Sequence, residues 1–259
     1  MTKVLDQRKI EAALRIAAAK SGNREIQRGE VRAETRLADI AWRIKVEAAT
    51  AITNWQTVEA FNNRCEGIDE KLRFDGIWTI AESVVKALVR DVTSALMRIT
   101  DSPGTKDDLE TLCRFVKMLA DQDAQLISQR TGAEEELVAN SVAFLRARVP
   151  FHWSKEAGNP GLTSDELQSA RERFKPIRNS INAHAADSSQ IDFKRDMPEI
   201  RKFLKVVSEL ADAACAIANI HRIDLNDHTA ASLEAATRFW TRVHDSPAST
   251  ALVQLGAES

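Results

Sequence analysis

The sequence predicts an all-α protein, an antiparallel bundle of about eight helices. Three observations carry this. Only 9 glycines and 6 prolines occur in 259 residues, so breakers of helix are scarce where alanine, leucine, glutamate and arginine are plentiful. Apolar residues recur every three or four positions in one segment after another, which is the period of a helix with one buried face. No stretch alternates apolar and polar residues as a half-buried strand would.

The elements follow in order. From Val4 to Lys20, Leu5, Ile10, Ala13, Leu14 and Ala17 keep helical spacing, and Ser21-Gly22-Asn23 reads as a stop. A longer pattern runs from about Arg24 to Cys65 through Leu37, Ile40, Ala41, Ile44, Ala48, Ile52 and Trp55, with Gly29 as a candidate break. Gly67 to Gly76 is a connection. Ile77 to Thr100 is the most apolar helix, with Ile77, Ile80, Val84, Val85, Leu88, Val92, Ala95, Leu96 and Ile99 as a broad buried stripe. Asp101-Ser102-Pro103-Gly104 ends it.

Thr105 with Asp108 resembles a capping box for a helix carrying Leu109, Leu112, Cys113, Val116 and Leu119. Another helix spans about Ala133 to Arg148 on Leu137, Val138, Val142 and Leu145. Pro150 to Leu162 is a long loop. Thr163 and Glu166 form a second capping box, and the helix they start meets Pro176, which kinks it or opens a new helix. Ala185 to Arg195 is polar and reads as loop. Asp196 and Glu199 form a third capping box, with Pro198 in the first turn, before Ile200, Phe203, Leu204, Val207, Leu210, Ala214 and Ile217. Asn226 to Val243 is the last helix, and Asp245 to Ser259 reads as a tail.

Composition narrows the function classes. A chain of this length can bury roughly 75% of its unfolded surface, so neither disulfides nor metals are needed to hold it together. Cys65, Cys113 and Cys215 are widely spaced and odd in number, fitting neither a disulfide framework nor a zinc site; reduced thiols in the cytoplasm are the expectation. No run of about 18 apolar residues offers a membrane span, and the N-terminus lacks the apolar stretch of a secretory signal. A net charge of −2 carries no global nucleic-acid signature, which leaves a local basic patch as the only electrostatic route to RNA. Gly-rich phosphate loops, Walker motifs and Gly-x-Ser-x-Gly elbows are absent.

One segment points at chemistry: Arg171-Glu172-Arg173-Phe174-Lys175-Pro176-Ile177-Arg178-Asn179-Ser180-Ile181-Asn182-Ala183-His184. Arg171, Arg173, Lys175 and Arg178 form a cationic run; Asn179, Asn182 and His184 follow. Arginine presents a planar, permanently charged fork to phosphate oxygens. Histidine exchanges a proton near neutral pH. Together they suit metal-free RNA cleavage, histidine taking the proton of the ribose 2′-hydroxyl or returning one to the leaving oxygen, arginine holding the phosphate.

On one straight helix Arg178 and Asn182 lie about 40° apart, but His184 lies about 120° from Arg178. The pair then meets only if the helix end unwinds or across a two-fold axis. The same residues also fit a bland reading, with Asn179 and Asn182 as cap or turn residues and Arg171, Arg173 and Lys175 as a solvated face. Elsewhere, His152-Trp153 fits either a base-stacking pair or a loop anchor. His221, His228 and His244 lack the carboxylates or cysteines of a metal site.

The string Ile177-Arg178-Asn179-Ser180-Ile181-Asn182-Ala183-His184 resembles the Arg-Asn-x-x-x-Ala-His signature of HEPN domains (higher eukaryotes and prokaryotes nucleotide-binding), in particular the AbiU-like subgroup associated with bacterial abortive infection. The context is similar too: Asp75 to Asp101 resembles that subgroup's long early helix, and the apolar helix from Asp196 its last core helix. The resemblance covers about Gly67 to His221. It implies an HEPN-like core at 67–221 with extra helices at 1–66 and 222–259, and a cytoplasmic homodimer in which the motifs of two protomers face each other.

It further implies a ribonuclease needing neither metal nor cofactor, in a toxin–antitoxin or phage-defence setting, with RNA and an antitoxin protein as partners. Arg178 would bind phosphate, Asn179 would assist, and His184 would act as acid and base. Arg171, Arg173, Lys175 and Asn182 would bind substrate. Other family members are inactive and only bind RNA or proteins, which is the alternative reading here. Relatives controlled by nucleotide transfer carry a tyrosine two residues after the histidine. That position is Ala186, and the chain has no tyrosine, so this form of control is not expected.

Overall fold

The computed structural model describes residues 24–65, 76–101, 111–120, 122–149, 167–175, 193–220 and 224–244. They form eight helices, and among the described residues there is no strand. The helices are α1 (Arg24–Cys65), α2 (Gly76–Thr100), α3 (Leu112–Met118), α4 (Ala124–Thr131), α5 (Glu135–Arg148), α6 (167–175), α7 (Phe193–Ile217) and α8 (Leu225–His244). The expected helix at 4–20, the Thr105–Asp108 and Thr163–Glu166 capping boxes, the loop at 150–162 and the tail from Asp245 lie outside the described residues.

Helix α1 is the hub. It packs against α2, α3, α7 and α8, and this explains the width of its buried face. Leu37, Ile40, Ala41, Ile44, Ala48, Ile52 and Trp55 are buried as their spacing predicts, and so are Ala49, Ala51, Val58 and Ala60 on the flanks. A helix surrounded on several sides buries more than the single stripe of a surface helix. It runs without interruption through Gly29; one glycine costs only about 1 kcal/mol in a helix, too little to break one so long. One contiguous core joins α1 to residues of every other helix. Trp55 is fully buried there, and its Nε1 has no hydrogen-bond partner among the described residues.

The predicted stripe of α2 needs correcting at its N-terminal half. Val85, Val92, Ala95, Leu96 and Ile99 are buried, but Ile80 and Val84 are exposed. The packed face runs through Ala81, Val85, Val89 and Val92, one residue, or about 100°, around the helix from Ile80 and Val84. A similar shift exposes Leu137 on α5, whose buried residues are Val138, Ser141, Val142 and Leu145.

Local capping sets several boundaries. Thr111 starts α3 by accepting from the backbone N–H of Arg114 at 3.2 Å, so the described helix begins at Leu112, later than the start expected from a cap at Thr105. Helix α4 has no counterpart in the sequence reading. Asp123 caps it, accepting from Leu126 N–H at 2.6 Å, and Gly132 ends it at φ 71, a left-handed backbone natural to glycine. Asn219 ends α7 in the same region at φ 54 and donates from Nδ2 to the Thr131 carbonyl at 3.1 Å, tying the two left-handed corners together. Asp224 caps α8 through the N–H groups of Asn226 and Asp227.

Helix α8 is fastened to α1 by directed contacts as well as by packing. Trp240 donates from Nε1 to the Thr57 carbonyl at 2.9 Å, and its ring lies 4.9 Å from that of Phe61. His228 Nε2 stands 3.0 Å from the Ala49 carbonyl and 3.0 Å from Thr53 Oγ1. A carbonyl only accepts, so Nε2 carries the proton, and this histidine is a strut between helices.

Arg146, on α5, closes the turn after α3. Its guanidinium donates to the carbonyls of Leu119, Ala120 and Gln122, groups that a helix end leaves without intrahelical partners. Replacing Arg146 with alanine is expected to destabilise the fold by about 1–3 kcal/mol, since three partly buried carbonyls lose a charged donor. Urea titration of both proteins would measure this, and an unchanged midpoint would count against the role.

Candidate functional site

The approach to the signature is helix α6. Leu167, Ala170 and Phe174 are buried on one side of it, at the three- and four-residue steps of a helical face. Phe174 is fully buried and stacks on Phe203 of α7, with ring centroids 6.0 Å apart and planes 5° from parallel. The opposite side carries Glu172, Arg173 and Lys175, all exposed.

Two ion pairs then fix α6 to its neighbours. Arg171 reaches the C-terminal end of α2, where Nη1 donates to Thr100 Oγ1 at 2.7 Å and Nη2 to Asp101 Oδ1 at 3.2 Å. Thr100 is itself buried, and its hydroxyl donates a hydrogen bond to the Leu96 carbonyl at 2.8 Å. Arg173 reaches the first turn of α7, donating from Nη2 to Asp196 Oδ1 at 2.6 Å. Arg195 donates to the same oxygen at 3.2 Å. The Asp196 side chain is 2% exposed, against 35% for Arg173 and 66% for Arg195. One sunken carboxylate thus holds two guanidinium groups that reach the surface.

This arrangement revises the sequence reading of Asp196. It was expected to cap a helix beginning after it. The helix begins three residues earlier, at Phe193, within the segment expected to be loop, and Pro198 lies inside it. The Asp196 carboxylate accepts from both Arg173 and Arg195. Glu199, the expected partner of the capping box, meets Lys202 at 3.4 Å. The link between Arg173 and Asp196 spans 23 residues of chain, a separation at which one sequence offers no periodic signal.

Of the expected site residues, Arg171, Arg173 and Lys175 fall within the described residues. The first two have carboxylate partners; Lys175 stands exposed at the end of α6. Arg178, Asn179, Asn182 and His184 lie outside the described residues, as do His152, Trp153 and His221.

Two other clusters bear on chemistry. Between α1 and α7, Lys45 is buried and donates to Asp212. Cys215, one turn from Asp212, is buried with Sγ 3.5 Å from the Ala41 carbonyl. Burial pushes its thiol up to about 12; the Lys45 ammonium works against that and the Asp212 carboxylate adds to it. The nucleophilic form of a cysteine is the thiolate, so Cys215 is inert at neutral pH. Where α1, α7 and α8 meet, a cleft of about 440 Å³ is floored by Ile52, Trp55 and Leu204. The charges at its rim are largely matched, Arg201 with Glu59 and Asp212 with Lys45.

The raised thiol gives a pH prediction. Between the ordinary thiol range and about 12, the unfolded chain loses the Cys215 proton and the folded chain keeps it. The unfolded state then binds fewer protons, and stability falls as pH rises through that window. Denaturant midpoints from pH 8 to 10.5 should therefore decline less steeply in Cys215→Ala than in the parent. Parallel curves would contradict this.

Among the described residues no group of three or more histidine, cysteine or acidic side chains is placed to hold a metal, and no helix is long and apolar enough to cross a membrane. Comparison with protein-family models, with curated proteins and with solved structures finds no match for this chain.

Proposed function

We propose that the chain is a metal-independent endoribonuclease of a bacterial toxin or abortive-infection system, acting in the cytoplasm as an HEPN-like homodimer. The observation that carries this reading is the string Arg178-Asn179-Ser180-Ile181-Asn182-Ala183-His184 in a chain whose described residues form helices and no strand, directly after a basic helix docked by Phe174 and two ion pairs. In this reading His184 removes the proton of a ribose 2′-hydroxyl. The 2′-oxygen attacks the adjacent phosphorus, the bond to the 5′-oxygen breaks, and that oxygen takes up a proton. Arg178 holds the phosphate as negative charge grows on it, and Asn179 and Asn182 supply hydrogen bonds. Lys175 extends the cationic track. The products are a 2′,3′-cyclic phosphate and a free 5′-hydroxyl.

The test is cleavage of an RNA oligonucleotide by the purified protein with a chelator present. The expected result is cleavage that disappears in Arg178→Ala and on a substrate with 2′-deoxyribose at the cut position. Cleavage that survives the deoxy substitution removes the mechanism. A second reading, an inactive RNA-binding or protein-interaction module that docks an antitoxin, draws on the commitment of Arg171 and Arg173 to Asp101 and Asp196, which leaves fewer cations for phosphate. Binding of the oligonucleotide without cleavage would favour it.

A further inference from the structure

The cleft where α1, α7 and α8 meet has a volume of about 440 Å³, within the range of small-molecule sites. Its floor is apolar: Ile52, Trp55, Leu204 and Leu225 line it and are buried. Two neutral polar groups are set into that floor. Trp55 is 1% exposed, and its indole N–H is the only buried side-chain nitrogen or oxygen without a hydrogen-bond partner among the described residues. Gln56 is 6% exposed. Its side chain also lacks a partner among the described residues, yet neither of its amide atoms is sealed from solvent. What little surface Gln56 shows therefore includes its amide, and Gln56 lines the cleft.

Buried polar groups are nearly always paired, so two unpaired neighbours in one cleft mark a place for a ligand. The hydroxyls beside them are engaged locally, Ser208 with the Leu204 carbonyl and Thr229 with that of Leu225. The charges indicate what the ligand is not. Arg201 meets Glu59, and Asp212 meets Lys45. Lys205 and Glu209, exposed one turn apart on α7, bring one charge of each sign to the rim. The charges cancel, and nothing in them selects an ion. An indole N–H and a primary amide, by contrast, are the complement of another amide, whose carbonyl accepts from Trp55 Nε1 or Gln56 Nε2 and whose N–H donates to Gln56 Oε1. We propose that this cleft binds a small uncharged molecule made of an amide and an apolar body, the amide at Trp55 and Gln56 and the body on Ile52 and Leu204.

The experiment titrates the full chain with benzamide, benzoate and benzamidine, three molecules of one shape that are neutral, anionic and cationic, and follows binding by calorimetry. Benzamide should bind one to one with a dissociation constant on the order of 1 mM, the scale for so few atoms. Benzoate and benzamidine should bind at least tenfold more weakly. Gln56→Leu, which keeps the volume and removes the amide, should weaken benzamide at least tenfold, and Lys205→Ala should leave it within twofold. An absence of saturable benzamide binding overturns the proposal. So does a charged analogue that binds as tightly, or benzamide affinity that Gln56→Leu leaves unchanged.

Should Gln56→Leu fail to fold, the wild-type protein decides alone. Nuclear Overhauser contacts from the benzamide ring to the methyl groups of Ile52 and Leu204 support the proposal, and their absence at saturating benzamide refutes it. The outcome is independent of the nuclease reading, since a chain that cleaves no RNA should bind benzamide equally well.

Discussion

Alanine in place of His184 is expected to slow RNA cleavage by about 10²–10⁴-fold, the usual contribution of a positioned acid–base residue. The size follows from what the side chain does in the proposed mechanism. Without the imidazole, water must accept the 2′-hydroxyl proton, while Arg178 and Lys175 still hold the substrate. The loss should therefore fall on kcat and leave KM nearly unchanged. The dependence on pH should change as well. An imidazole exchanges its proton near neutrality, so the wild-type rate should bend between about pH 5 and 8, and the His184→Ala rate should lose that bend. Initial rates across this range, with chelator throughout, provide the check. A variant that keeps both the rate and the bend would rule out His184 as the proton carrier. Arg178→Lys adds a finer comparison, because it keeps the charge and gives up the planar fork.

The second large effect concerns the packing of the helix that precedes the signature in the chain. Phe203→Ala is expected to cost about 3–5 kcal/mol, the range for removing a buried aromatic ring from a core that cannot collapse around the space. Phe203 is fully buried on α7 and stacked on Phe174 of α6. The deletion empties the contact that docks the helix leading to the signature. For a chain of this size the loss corresponds to a fall of roughly 10 °C in the unfolding midpoint. Phe174→Ala should cost a comparable amount, and the double variant less than the two single losses added together, since each ring is the other's partner. Guanidinium denaturation followed by tryptophan fluorescence would measure all four proteins. A loss under about 1 kcal/mol for Phe203→Ala would mean that the ring is not held as described. Because α6 precedes the signature, Phe174→Ala should also lower cleavage at temperatures where the fold is intact.

Much of the fold is legible in the sequence because helix period is a local property. The apolar positions of α1 and α7, from Leu37 to Trp55 and from Ile200 to Ile217, are the residues found buried. Boundaries were less legible where competing signals overlap. Asp196, Pro198 and Glu199 have the composition of a helix start, yet α7 begins at Phe193, and the Asp196 carboxylate accepts from Arg173 and Arg195, which lie outside any local capping pattern. Ile80 and Val84 satisfy helical spacing and still face solvent. Spacing gives a set of faces, and the neighbouring helices decide which one is covered. Helix α4 was missed because Ala124–Thr131 is short and polar and buries Ile127 alone, too little for a periodic signal.

The sequence by itself determined that the described residues are helical and which residues of the longest helices form the core, and it is the source of Arg178 to His184 as the proposed site. Each of these depends on residues close together along the chain, where backbone geometry dictates spacing. Only the tertiary structure decided which partners the charged side chains take. Arg171 pairs with Asp101 across 70 residues, Arg173 with Asp196 across 23, and Lys45 with Asp212 across 167. Coulomb attraction acts through space and has no period in sequence, so the carboxylate that an arginine meets is visible only once folding brings the two together.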